Sequence, residues 1–74
     1  MDKKLALYNA LERRYEAQMT EAYATLAVYF ETPVGIGEHP QHVDEMAKQL
    51  EKLANAEDCL ASLEKNFKAS VVGT

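Results

Sequence analysis

The stretch that decides the fold is TPVGIGEHPQH, residues 32–42, which combines both prolines, a G-x-G spacing and both histidines of the chain. Pro33 disfavours helical geometry at Thr32, so a helix that arrives from the N-terminal side ends there. A second helix is expected to begin at Pro40, because proline suits the first helical position, where its missing N–H has no intrahelical partner. The two glycines permit the backbone conformations that a reversal of direction needs. We therefore predict a turn between two helices.

Both flanks of this turn have helical periodicity. Residues 3–31 contain neither Gly nor Pro and are rich in Ala, Leu, Glu and Arg, which favour helix. Apolar side chains recur at steps of three and four on both flanks, whereas a strand would alternate every second residue. The sequence predicts one domain over residues 1–74, with a helix over about 3–31, a loop over 32–39, a helix over about 40–69 and a frayed tail over 70–74, in which Val71 could extend the apolar stripe.

Two files of residues seven apart run along the second helix: Met46, Leu53, Leu60 and Phe67, and beside them Ala47, Ala54 and Ala61. We expect the alanine file to let the neighbouring helix approach closely. Glu57 falls where an apolar residue is due, at about the level of Tyr15, Glu16 and Met19. A carboxylate buried there needs a partner, which Arg13, Arg14 or a tyrosine hydroxyl could supply. Such a polar intrusion often fixes the register of a bundle; a catalytic carboxylate is the alternative interpretation.

The predicted fold class is all-α, an antiparallel two-helix hairpin. Its apolar stripes are wider than one interface covers, so we expect a homodimer in which two hairpins form a four-helix bundle. The residues expected at the interface are Tyr8, Tyr15, Met19, Leu26, Met46, Leu53, Leu60 and Phe67.

Size and charge narrow the possible functions. A chain of 74 residues with one cysteine forms no internal disulfide, which fits a reducing compartment and leaves self-association as a way to enlarge the core. The net charge is −4, and the excess acid lies from Glu31 onward, which disfavours nucleic acid and anionic membrane as partners. No apolar run approaches the roughly 20 residues of a membrane span, and the N-terminus lacks a signal-peptide core, so a cytoplasmic protein is expected.

The turn also contains the candidate ligand sites. Gly35 and Gly37 ahead of a helix could cradle a phosphate, but the remainder of a nucleotide-binding fingerprint is missing. The spacing of His39, His42 and Glu45 permits zinc or iron ligation only with further ligands from a partner chain. A di-iron bundle needs Glu-x-x-His pairs, which the sequence lacks. We expect no cofactor, no catalytic residues and a structural turn.

The connector and one segment of the second helix resemble a known group of proteins. The residues that carry the resemblance are Pro33, Gly35, Gly37, Glu38, His39 and Pro40, with ANAED at 54–58. Over residues 32–64 the chain resembles small helical-hairpin proteins encoded by tailed phages of marine bacteria. The resemblance implies a hairpin and the cytoplasm of an infected bacterium, and it implies no catalytic residues.

Three functional hypotheses follow. The first is a non-enzymatic, homodimeric protein–protein interaction module with an accessory or regulatory role, since the apolar stripes are wide and a catalytic constellation is missing. The second is a small metal- or ligand-binding protein that uses His39, His42 and Glu45. The third is a nucleic-acid-associated factor that uses a basic patch of Lys3, Lys4, Arg13 and Arg14. We favour the first.

Overall fold

The computed structural model describes residues 2–31 and 40–73. Helix α1 spans Lys3–Glu31 and helix α2 spans Pro40–Phe67, and a π-helical turn, Lys68–Val72, continues α2. The predicted all-helical class is confirmed for the described residues. The predicted turn at residues 32–39 lies outside them.

Helix α1 begins at a side-chain cap. Asp2 accepts a hydrogen bond from the Lys4 N–H on its Oδ1 at 3.2 Å, and its carbonyl accepts one from the Ala6 N–H at 2.9 Å. This is the pattern of an N-cap residue, which satisfies amide groups that have no partner within the helix. Asp2 therefore sets the first turn of α1.

The two helices pack antiparallel along their whole length. At the end beside residues 32–39, the rings of Tyr29 and His42 meet edge to face with centroids 4.7 Å apart. An ion pair joins Glu21 to Lys52 farther along. At the opposite end, which carries both termini, Tyr8 of α1 lines the same cavity as Leu63 of α2.

These contacts fix the register. The next pair of facing residues is found by moving seven residues toward the N-terminus on α1 and, because the helices are antiparallel, seven residues toward the C-terminus on α2. We start from the Tyr29–His42 contact. The pairs are Tyr29 with His42, Ala22 with Gln49, Tyr15 with Ala56, and Tyr8 with Leu63. We call these eight residues the core line, and each is buried or half-buried.

The core line alternates large and small side chains across the contact. Ala22 and Ala56 are both 0% exposed, and the seven-residue register places each opposite a larger residue, Gln49 and Tyr15 respectively. Since alanine has only a methyl group, the backbones approach closely at these two positions. Over the part of the chain that the structure describes, the other buried apolar residues are Tyr8 and Leu26, so the core is narrow.

Two expectations about α2 are wrong. Glu57 is exposed, because Ala56 takes the position that faces α1 and one residue turns the side chain by about 100°. The expected alanine file Ala47, Ala54 and Ala61 is also exposed. The alanine that permits close approach is Ala56.

The C-terminal end differs from the expected frayed tail. The Gly73 N–H donates to the Lys68 carbonyl at 3.1 Å, which closes the π-helical turn. A π-helix places one more residue in each turn, so it rotates later side chains backward relative to an α-helix. Val71 is half-buried and lines the cavity that contains Tyr8 and Leu63.

The hairpin is a rod of 54 × 19 × 16 Å. Its radius of gyration is 16.7 Å, whereas a compact chain of this length has about 11 Å. Its accessible surface is 5842 Å², against about 4,600 Å² for a typical folded monomer of this mass. The single helix–helix contact therefore leaves an unusually large surface exposed.

The close approach at Ala22 generates a first prediction. Ala22→Leu is expected to lower the free energy of unfolding by about 1–3 kcal/mol, because the added isobutyl group forces the helices apart. The matched control is Ala54→Leu on the exposed side of α2, expected to change stability by less than about 0.5 kcal/mol. Urea denaturation followed by circular dichroism measures both, and equal effects would contradict the assigned register.

Candidate protein-interaction surfaces

The exposed large apolar residues fall mainly on two sides of the rod. The complete set among the described residues is Leu7, Leu11, Tyr23, Val28, Phe30, Val43, Leu50, Phe67 and Val72. Five of them lie in the half of the rod beside residues 32–39, and the other four lie near the chain termini. These two groups are separate surfaces.

The first surface, which we call the loop-end patch, consists of Tyr23, Phe30, Val43 and Leu50. Each of these residues directly follows a member of the core line. Its side chain is therefore rotated around the helix axis by about 100° from that of its core-line neighbour, in the same sense for both helices when each is followed along its own chain. Because the helices are antiparallel, that sense brings all four to one side of the hairpin. Tyr23 then pairs across the helices with Leu50, and Phe30 pairs with Val43.

The loop-end patch is open to solvent and uncharged. Its members are 68%, 77%, 70% and 58% exposed in the order Tyr23, Phe30, Val43, Leu50. On α1 the whole segment 22–30 lacks a charged residue. Half-buried Met19, Met46 and Leu53 lie between the patch and the core line and extend its apolar surface inward.

Toward the chain termini, the same side of the rod carries acidic rather than apolar side chains. The residues that directly follow the core line there are Asn9, Glu16, Glu57 and Glu64, all exposed except half-buried Asn9. One line of residues is therefore apolar over the half beside residues 32–39 and mainly acidic over the other half. Exposed carboxylates resist burial, since desolvating an unpaired charge is costly.

The second surface, which we call the terminal groove, lies on the other side. It consists of two adjoining concavities of about 330 and 290 Å³ that share Leu11, Leu63 and Phe67. Tyr15, Asp58, Cys59, Ser62 and Asn66 complete the first, and Lys4, Leu7, Tyr8 and Val71 complete the second. Leu7 and Ser62 directly precede core-line residues, which places the groove opposite the loop-end patch and the acidic side chains.

The floor of the groove contains a buried hydroxyl. Tyr8 Oη is fully covered and has no hydrogen-bond partner among the described residues, and the same holds for Gln49 Oε1 elsewhere on the core line. Burial raises the pKa of the Tyr8 phenol, and the charges of Glu12 and Glu64 raise it further. The neutral phenol is therefore the form that the fold favours.

This environment gives a second prediction. A phenol whose pKa is raised by folding contributes stability that is present below its unfolded pKa of about 10 and is lost as pH rises above that value. Tyr8→Phe should therefore be at least as stable as the wild type at pH 7, since it removes an unsatisfied hydroxyl. It should also lose less stability than the wild type from about pH 9 to 11. Urea titrations across this range measure both effects, and parallel pH profiles would contradict the assignment.

The candidate metal ligands are only partly described. His39 lies outside the described residues, and within them no group of three or more His, Cys, Asp or Glu side chains could hold a metal ion. The His42 ring packs against Tyr29, and Glu45 pairs with Lys48 at 3.2 Å. Both side chains therefore have partners within the hairpin. A ligand role for His39, His42 and Glu45 stays a prediction.

The expected interface residues divide between the core and the surface. Tyr8 and Leu26 are buried by the partner helix of the same hairpin, whereas Tyr15, Met19, Met46, Leu53 and Leu60 are half-buried and Phe67 is exposed. The sequence places Tyr23 and Phe30 beside the apolar line of α1 and Val43 and Leu50 in the apolar set of α2, but the expected interface residues do not include these four. Their seven-residue spacing directly beside the core line is the signal that could have found them.

The comparisons with known proteins add no relative. No protein-family model, no curated protein and no solved structure matches the chain. The resemblance to phage helical-hairpin proteins therefore stays a prediction. Neither helix contains, over its described residues, a segment that is long and apolar enough to cross a membrane.

Proposed function

We propose that the chain is a non-enzymatic helical interaction module that acts as a homodimer, with the loop-end patch as its dimer surface. The observation that carries the proposal is the group of four large, well-exposed apolar side chains, Tyr23, Phe30, Val43 and Leu50, on one uncharged side of the hairpin. Contiguous exposed apolar patches of this kind mark interaction sites. Aromatic side chains are also enriched at protein interfaces.

The surface area supports association. The hairpin exposes about 1,200 Å² more than a compact monomer of its mass. A patch that covers half of the 54 Å length and the full 19 Å width offers about 500 Å² on each copy. Two copies then bury about 1,000 Å², which is near the lower limit for specific interfaces. We infer a reversible dimer in the micromolar range.

The charge pattern selects the dimer geometry. A full antiparallel overlap of two rods would place Glu16, Glu57 and Glu64 on the apolar patch of the other copy, at a large desolvation cost. A full parallel overlap would place carboxylates against carboxylates. A two-fold axis through the loop-end patch, with the acidic halves pointing apart, avoids both penalties. Four helices then form a bundle only where the two patches overlap.

The third prediction tests this surface. Leu50→Glu places a charge in the proposed interface twice, once from each copy, and should raise the dimer dissociation constant at least about tenfold. Gel filtration coupled to light scattering, over a dilution series, measures the change in mass. Circular dichroism of the variant should stay helical, because Leu50 is exposed within the hairpin.

The matched control is Leu7→Glu, which changes another well-exposed leucine, on the opposite side. It should leave the dimer dissociation constant unchanged. A wild-type protein that stays monomeric at the highest concentration would contradict the proposed dimer. A dimer that tolerates Leu50→Glu but dissociates with Leu7→Glu would show that the other surface forms the contact.

A further inference from the structure

We infer that the terminal groove binds a single amphipathic helix of a partner protein, one that carries acidic residues beside its apolar stripe. This inference rests on the proposed role as an interaction module and names the partner of that module. In the proposed dimer the groove faces away from the loop-end patch, so both copies keep it open.

The shape of the groove fits one helix. Its two concavities follow α1 from Lys4 to Tyr15 and are bounded on the other side by Cys59, Leu63 and Phe67 of α2. The eleven residue-to-residue steps from Lys4 to Tyr15 rise about 16 Å, or three helical turns. A third helix laid between two packed helices presents anchors at steps of three and four, which is the helix-in-groove mode of recognition. Leu7, Leu11, Leu63, Phe67 and Val71 supply the apolar contacts.

The charge on the rim selects an acidic partner. Lys4 lines the groove. Lys3 lies four residues before Leu7, and Arg14 lies seven residues after it, so both lie along the same edge of α1 as Leu7. All three cations are exposed, and none forms an ion pair within the described ranges 2–31 and 40–73. The α2 rim is mainly neutral, with Ser62 and Asn66, and has one acid, Asp58. A carboxylate flank directed at α1 would therefore find three unpaired cations.

A second copy of the chain fits the groove poorly. The acidic line Glu16, Glu57 and Glu64 of a second copy lies on a face that is two helices wide, whereas the groove admits one helix. Such a contact would also join unlike surfaces, which produces open chains of molecules rather than a closed dimer. The occupant is therefore a lone helix from another protein.

The cysteine provides a specific probe of the groove. Cys59 is the only cysteine, is half-buried and lines the groove, with its Sγ 4.0 Å from Asn55 Oδ1. A helix bound there would cover the thiol. The rate at which a small disulfide reagent modifies Cys59 therefore reports occupancy of the groove, and the loop-end patch contains no thiol to interfere.

The experiment uses two synthetic helical peptides, each labelled with a fluorophore. Both carry leucines at steps of three and four; one has glutamates beside this stripe and the other has lysines at the same positions. Fluorescence anisotropy with the full chain should show saturable binding of the glutamate peptide. The lysine peptide should bind at least about tenfold more weakly, and this difference should shrink as salt is added. The glutamate peptide should also slow the modification of Cys59.

Two variants separate this inference from the proposed dimer. Leu11→Glu, at an exposed position in the groove, should abolish binding of the glutamate peptide while the protein stays helical and dimeric. Leu50→Glu should dissociate the dimer and leave peptide binding intact. A wild-type protein that is monomeric at every concentration but still binds the glutamate peptide would overturn the proposed dimer and leave the groove assignment standing.

Three results would overturn the inference. The first is failure of the glutamate peptide to saturate or to protect Cys59. The second is equal binding of both peptides, which would show that the cationic rim has no part in recognition. The third is protection of Cys59 by rising protein concentration alone, which would show that a second copy occupies the groove.

Discussion

The contact between two long antiparallel helices is the constraint on which the rest of the structure depends. Ala22 and Ala56, both fully buried, bring the backbones together at the middle of the rod. The Tyr29–His42 contact fixes the register, and the core line repeats from it every seven residues. A contact only one helix wide buries few large side chains, so the hairpin keeps its shape while most of its surface stays available for other contacts.

The register also determines which apolar and charged side chains lie on each side of the rod. Once the core line is fixed, the residues that follow it become one side of the rod and those that precede it become the other. The first side holds the loop-end patch and the carboxylates of Glu16, Glu57 and Glu64. The second side holds the terminal groove and its cations. The proposed dimer and the proposed partner helix therefore use different surfaces and do not compete.

The helices could be predicted from the sequence more easily than the interaction surfaces could. The prolines and the steps of three and four predicted both helices, with bounds that nearly coincide with Lys3–Glu31 and Pro40–Phe67. On α2, however, several files repeat every seven residues, and only the contact with α1 shows which file faces inward. For that reason Glu57 and the file of Ala47, Ala54 and Ala61 were misplaced. The groove could not be predicted either, because it depends on the register and on the rotation of Val71 by the π-helical turn.

The central claim is that this narrow hairpin gains stability by associating through the loop-end patch. The most direct test is the midpoint of urea unfolding, measured by circular dichroism at protein concentrations that span about two orders of magnitude around the micromolar range. Because association stabilises only the folded chain, the midpoint should rise with protein concentration. A midpoint that is the same at every concentration, with the mass of one chain throughout, would contradict the claim.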